Sequence, residues 1–388
     1  MRNTKNRTKL PMGIHTLTGA LACALLLASP VAAETPSAEA YALVADHVAV
    51  DGGTVIEDGL VLVDGGKILA VGPAAELQGT LADTVRIIEH EGWLTAGIVA
   101  ANGTYGMVSG ADDSTRAFMG DLELLDGFDP KHSSLAKATG AGVTSFGLTS
   151  GRGNVAGGTG AVVKTHGGTV LNENSHLALC MAPPALRGNR YPTSYAGAVH
   201  AVETRLAEGK GAFGKVAAGE LGLEVAVSAR HEIRRTVDLL KRAGLSATLR
   251  GADRAGDFAP ALAEAGHAVA LSPIGMGTSP WRFESITALA EAGVPFAFGL
   301  ADTGSGADCL RFGAALAARA GVDRAALWNS LTASPAAMLG VSSRVGRVAA
   351  GMDADLVLWS GDPLELTTTL EAVYVDGAQV EATKGDDE

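Results

Sequence analysis

The sequence predicts an α/β protein: a (β/α)₈ TIM-like barrel over residues 96–344, with a small β domain assembled from residues 34–95 and 345–382. Three observations predict it. Short β-branched runs broken by Asp-Gly and Gly-Gly turns fill both ends of the chain, from Ala40 to Leu77 and from Gly346 to Val380. None of the N-terminal runs is long enough to stand alone, so they need the C-terminal ones as partners. Between the two ends, continuous apolar runs alternate with helical stretches, as parallel strands buried on both faces do. That middle, Gly97 to Gly340, is ~240 residues, close to a typical barrel of this kind.

In chain order, residues 1–33 read as an export signal. Arg2, Lys5, Arg7 and Lys9 precede an apolar run strongest at Leu21 to Ala28, then Ser29-Pro30-Val31-Ala32-Ala33, with no acid before Glu34. Cleavage after Ala33 and a periplasmic or secreted location are the expectation. No later segment reaches the ~18 continuous apolar residues of a membrane helix, so no membrane partner is expected after cleavage. The cleaved chain opposes 26 Lys and Arg to 42 Asp and Glu. That balance, with no basic stripe against it, excludes nucleic acid as an expected partner. Two cysteines remain, Cys180 and Cys309, each beside apolar residues and read as buried free thiols.

The run Gly97 to Ala101 forms the first barrel strand and delivers Asn102 and Thr104 at its C-terminal end. Their i, i+2 spacing puts both side chains on one face. Gly142 to Leu148 is the next strand. The glycine-rich Gly151 to Gly160 follows as a loop at the barrel mouth; it lacks the terminal Gly-Lys-Ser/Thr of a phosphate loop. Leu177 to Cys180, Glu224 to Ser228, Ser246 to Leu249, Ala268 to Leu271 and Pro295 to Gly299 supply further strands. Helices at Phe258 to Ala265 and Ile286 to Ala292 precede the last two. Leu271 to Trp281 reads as a mobile loop, a candidate lid carrying Trp281. Asp353-Ala354-Asp355 and Gly361-Asp362-Pro363 read as turn chemistry in the β domain, and residues 383–388 as a charged tail.

The sentence Gly346-x-Val348-x-x-Gly351-x-Asp353-Ala354-Asp355-Leu356-Val357, the closing Val373-x-Val375-Asp376-Gly377 and the Gly153-Asn154-Val155 stretch are similar to the amidohydrolase superfamily, in its imidazolonepropionase-like exported branch. The resemblance covers nearly all the cleaved chain. It implies a barrel beside a composite β-sandwich made from both chain ends, and a zinc site at the barrel mouth in active relatives. The family's first strand opens that site with Pro-Gly and His-x-His; here Ala96 replaces the Pro, and Asn102 and Thr104 replace both His. The bridging Lys or Glu has no secure equivalent; Lys164 is the nearest candidate and reads as an ordinary loop-edge Lys. Ser228 stands at the fifth-strand His, and Arg250 at the sixth. The eighth-strand Asp, metal ligand and proton acceptor in active relatives, falls on Ala301 or, with a one-residue slip, on Asp302, the single catalytic candidate.

Two functional readings follow. The first is a degenerate barrel without metal or other cofactor, kept for a small-molecule ligand, for self-association, or for pairing with an active paralogue. The second is an active metal-dependent hydrolase of carbon–nitrogen bonds in a cyclic amide or dipeptide-like substrate. A mononuclear site built from Asp302 and a His outside the family positions is a third. The eight His of the cleaved chain form no H-x-H, H-x-x-E-H or H-E-x-x-H cluster. Ser228 has no evident base and no G-x-S-x-G elbow, so nucleophilic serine chemistry is not expected. Arg250 puts a fixed guanidinium where metal charge stands in relatives, suited to a carboxylate or to an ion pair with Asp302.

Overall fold

The computed structural model describes residues 40–113, 115–300 and 306–380. The N-terminal strands are β1 (Tyr41–Asp51), β2 (Thr54–Asp64), β3 (Lys67–Pro73) and β4 (Arg86–Ala96), with a single helical turn α1 (Ala74–Leu77) after β3. The barrel strands are β5 (Ile98–Gly103), β6 (Val143–Leu148), β7 (Ala156–Lys164), β8 (Val170–Cys180), β9 (Gly222–Ala226), β10 (Thr248–Arg250), β11 (Ala268–Leu271) and β12 (Phe296–Phe298). Around them run α2 (Ser133–Gly140), α3 (Tyr195–Glu208), α4 (Gly211–Ala217), α5 (Arg230–Ala243), α6 (Ala259–Glu264), α7 (Pro280–Glu291), α8 (Asp308–Arg319), α9 (Arg324–Leu331) and α10 (Ala333–Met338). The chain closes with β13 (Leu356–Trp359), β14 (Leu370–Val375) and β15 (Ala378–Val380).

The two chain ends make one continuous seven-stranded sheet in the order β15-β14-β13-β4-β1-β2-β3. The knot between them is β4 against β13, antiparallel, with Leu356 opposite Ala96 and Trp359 opposite Trp93. Alternation explains the pairing: Leu43, Val48, Leu94, Leu356 and Leu358 fall on one face and share one apolar core. This is the composite β domain that both ends were expected to build.

The barrel sheet runs β5 through β12 in chain order. One strand breaks the expected all-parallel rule. β7 is antiparallel to both β6 and β8, and it comprises much of the glycine-rich stretch read as a mouth loop. The reason is length. A parallel crossover needs roughly a dozen residues or more, and only residues 149–155 separate β6 from β7. All nine residues of β7 are buried. The ring closes through Asn102, whose backbone oxygen accepts from Leu300 N (2.9 Å) and whose Nδ2 donates to Leu300 O (3.2 Å).

Strand alternation sorts the side chains. Phe146, Leu177, Val225, Leu249, Val269 and Phe298 share a core with the surrounding helices. Ala101, Ala270 and Ala297 gather instead with Met338, and Val99 and Val162 with Leu339. These small inward residues leave room for the end of α10 to fill the barrel interior. Trp281 belongs to the first turn of α7, not to a lid, with the Arg254 guanidinium 4.0 Å from its ring centroid. Cys180 is buried and Cys309 half-buried; both are free thiols.

Candidate functional site

The C-terminal ends of the parallel strands define the mouth, where barrel chemistry is expected. Asn102 on β5, Thr149 just past β6, Glu224 on β9 and Arg250 on β10 are buried polar residues there. His176 on β8 joins them from below.

Glu224 points inward because its neighbours Leu223 and Val225 belong to the outer core. Its Oε1 accepts from Thr149 Oγ1 at 2.7 Å and meets Arg250 Nε at 3.1 Å. Arg250 also donates from Nη2 to Gly151 O at 3.2 Å. With the Thr149 proton directed at Glu224, His176 Nε2 donates to Thr149 Oγ1 (3.2 Å), and Ser175 Oγ donates to His176 Nδ1 (3.0 Å). Burial pushes the His176 pKa below its ordinary 6.5, so this imidazole is neutral and is a link in a satisfied network. A buried charge pair persists only when hydrogen-bonded in this way.

A second guanidinium stands at the rim. Arg152 donates from Nη1 to Ser228 Oγ at 2.8 Å, and lies over Gly251, where a Cβ would overlap its Nη2. Gly251 also has φ +70°, so glycine is required there twice over. The loop that carries Arg152 is stapled at Gly153, whose N–H donates to Asp112 Oδ2 (3.1 Å) and whose carbonyl accepts from Arg190 Nη2. A cavity of about 200 Å³ remains, walled by Asn102, Arg152, Arg250, Leu271, Ser272 and Leu300. Its lower lip is tied down: Arg282 donates to Ser272 O (2.7 Å) and to Pro273 O (3.1 Å), and pairs with Asp253 (3.0 Å).

Of the residues singled out in the sequence, the structure brings Asn102 and Arg250 to one cavity and places Ser228, exposed, beside it through Arg152. Thr104 is half-buried and is not part of the cavity wall. Asp302 and Ala301 lie outside the described residues. Lys164 needs a correction, because it is no loop-edge side chain. It ends β7, and since β7 runs backwards that end is the floor of the barrel, opposite the mouth. There Lys164 is fully buried and pairs with Asp353 (2.8 Å), Asp355 (2.9 Å) and Asp376. The Asp353-Ala354-Asp355 and Asp376 sentences are therefore its counterions rather than turn chemistry alone. A larger cleft, about 520 Å³, lies against α2 with Lys131, His132, Thr165 and His166 among its walls. It is an open groove beside Lys164's end of the barrel, so the mouth is the better candidate despite its smaller volume.

Among the described residues, the family positions at the mouth do not fit zinc, the metal that the resemblance implies for active relatives. A catalytic zinc takes about three ligands from His, Asp, Glu or Cys; the family positions described here offer a carboxamide, two hydroxyls and a guanidinium. Among the described residues no three His, Cys, Asp or Glu converge as a metal-holding group. The sequence reading missed Glu224 and Arg152. The signal for Glu224 was available: a carboxylate inside the apolar strand Gly222-Leu223-Glu224-Val225-Ala226 must be paired.

Residues 189–383 match the amidohydrolase family, and residues 61–79 match the bacterial imidazolonepropionase-like composite domain. "Amidohydrolase tasK" of Hapsidospora irregularis is 44% identical over 48 residues, 12% of this chain and 5% of that protein. Among solved structures, an amidohydrolase from Thermotoga maritima superposes with a TM-score of 0.78 at 23% identity, over 88% of this chain and 99% of that one. A putative prolidase from Bifidobacterium longum gives 0.57 at 16% identity, over 89% and 95%. The ochratoxinase of A. niger gives 0.56 at 15%, over 88% and 95%. These structural likenesses speak for the fold alone.

Proposed function

The chain belongs to the amidohydrolase family, and from that premise we propose that it is an exported, metal-free member whose barrel mouth binds a small molecule instead of hydrolysing one. One observation carries the reading: the Arg250–Glu224 pair is buried at the mouth, so a fixed cation occupies the position where the resemblance puts a metal ligand of active relatives. A guanidinium repels a divalent ion and has no lone pair to give it. Asn102 supports the same reading, since its amide is spent on closing the barrel at Leu300. Export rests on the basic, apolar and small-residue sequence of residues 1–33. Self-association or pairing with an active paralogue is the protein-level form of the reading, tested by mass photometry and co-purification from the source cells.

The deciding assay offers cyclic amides and N-acyl amino acids to the purified chain, with and without added zinc. Saturable binding without turnover is expected. Zinc-dependent turnover that Asp302→Asn abolishes would instead establish the hydrolase reading.

A further inference from the structure

We propose that the crevice between the β1–β2 turn and α9 is a binding site, separate from the barrel mouth, for a small organic cation such as an alkylated ammonium. This site is independent of the reading of the mouth.

The crevice forms where the composite domain meets the barrel. The turn at Gly52-Gly53 sits so close to α9 that a Cβ on Gly52 would overlap the Asn329 side chain, and one on Gly53 would lie 3.4 Å from the Ala325 methyl. Beside this contact remains a cavity of about 170 Å³, with Val55, Trp93, Trp328 and Leu364 as apolar walls and Asp51 and Asp362 as its acids. Trp328 is buried and Trp93 half-buried.

The indoles are the informative part. The chain has four tryptophans. Trp281 and Trp359 are each served by a guanidinium of the chain itself, Arg254 at 4.0 Å and Arg311 at 5.6 Å from the ring centroid. Among the described residues no Lys or Arg stands over Trp93 or Trp328, the two that share this cavity. Trp93 has the His47 ring at 5.0 Å, with Glu57 2.6 Å from His47 Nδ1. Arg324 lies in the cavity wall but is drawn to Asp362 (2.5 Å) and Glu365 (3.1 Å).

Charge points the same way. The Asp51 carboxylate is exposed at the end of β1 and has no hydrogen-bond or ion-pair partner among the described residues. The charged groups around it are engaged elsewhere. Arg311 donates to the carbonyls of Pro363 and Glu365, 2.9 Å each, and Asp323 caps α9 through Ala326 N at 2.7 Å. Arg347, whose neighbour Val348 donates to Val50 O, turns to the Ser342 carbonyl at 3.4 Å. Set against Arg311, Arg324 and Arg347, the acids Asp51, Glu57, Asp323, Asp362 and Glu365 are in excess, in a chain whose formal charge is −12. An unpaired carboxylate beside indoles that lack a cation suits a quaternary ammonium group. A metal ion is not served there, since no three His, Cys, Asp or Glu converge among the described residues. At about 170 Å³ the cavity is below the ~300–1,000 Å³ of drug-sized pockets, which restricts the guest to a head group of a few carbons.

The test titrates the purified chain with choline chloride and with 3,3-dimethyl-1-butanol, its neutral carbon analogue, by calorimetry and tryptophan fluorescence. Choline is expected to bind saturably with a change in tryptophan emission, more weakly at high salt, and the alcohol about tenfold more weakly or not at all. Trp93→Leu should lower choline affinity about tenfold and diminish the emission change, with the far-ultraviolet circular dichroism unchanged. Asp51→Asn should lower it about three- to fivefold. Should Trp93→Leu fail to fold, Asp51→Asn decides alone, because its side chain is exposed and unbonded. Equal binding of choline and the alcohol, no saturable binding of choline, or an Asp51→Asn chain that binds as the parent does would each overturn the cation site.

Discussion

At the floor of the barrel Lys164 meets Asp353, Asp355 and Asp376, and Lys67 and Arg344 add their charge to Asp353 from outside. At the mouth Arg250 meets Glu224, with a second guanidinium a cavity's width away. Both ends bury charge, but they use it differently. The floor is closed: its acids come from the loops flanking β13 and β14, so the ion cluster clamps the composite domain onto the barrel. Burial opposes the Lys164 charge, yet Asp355, Asp353 and Asp376 outweigh it and hold its pKa above 10.5. Burial likewise works to raise Asp353, and Lys164, Lys67 and Arg344 outweigh it and bring it below 3.8. The mouth keeps an opening beside its ion pair. A cluster whose Lys164 and Asp353 are fully buried stabilises; a pair beside a cavity can also receive a ligand.

The comparison can be broken in order of effect. Lys164→Met should cost the most, ~3–5 kcal/mol, because it leaves carboxylates buried without their shared cation. Urea unfolding measures it, and a cost under ~1 kcal/mol, the range of an exposed pair, would show the floor is not a clamp. Glu224→Gln should cost less, ~1–3 kcal/mol, since the glutamine oxygen can still accept from Arg250 and Thr149. A loss equal to that of Lys164→Met would erase the distinction between the two ends.

Acid should separate them further. The folded chain holds His176 below its ordinary pKa, so below about pH 6.5 the unfolded chain binds a proton that the folded one refuses. Stability contributed by neutral His176 is therefore present above that pH and lost as pH falls toward the folded value. His176→Gln should flatten the difference in urea midpoint between pH 7.5 and 5.5; an unchanged slope would mean that His176 is not the group responsible. Asp353 adds its own loss only in stronger acid, as pH falls below 3.8 through its depressed pKa. Arg152→Gln should have the smallest effect on stability, within ~0.5 kcal/mol, as a rim substitution; a loss above ~1 kcal/mol by urea unfolding would show that the rim guanidinium is structural.

Much of this fold was legible because periodicity is local. β-Branched runs and Asp-Gly turns at both ends announced strands, and the spacing of apolar runs announced the barrel. The reversal of β7 was hidden, since a glycine-rich stretch reads as a loop unless the seven-residue connection before it is weighed against what a parallel crossover needs. Lys164 was misread for the same reason: in a loop it would be solvated, whereas at the end of a buried strand it requires the acids that lie about 190–210 residues later in the chain. At the mouth, family positions led to Asn102, Ser228 and Arg250. They could not lead to Arg152, which no motif marks and which only the three-dimensional meeting of Ser228 and Gly251 reveals.

The most direct test measures zinc by mass spectrometry in chain purified from zinc-supplemented cells and dialysed without chelator. A mouth centred on a guanidinium predicts less than about 0.1 zinc per chain. One or two zinc ions per chain, held through dialysis and lost on substitution of Asp302, would contradict it.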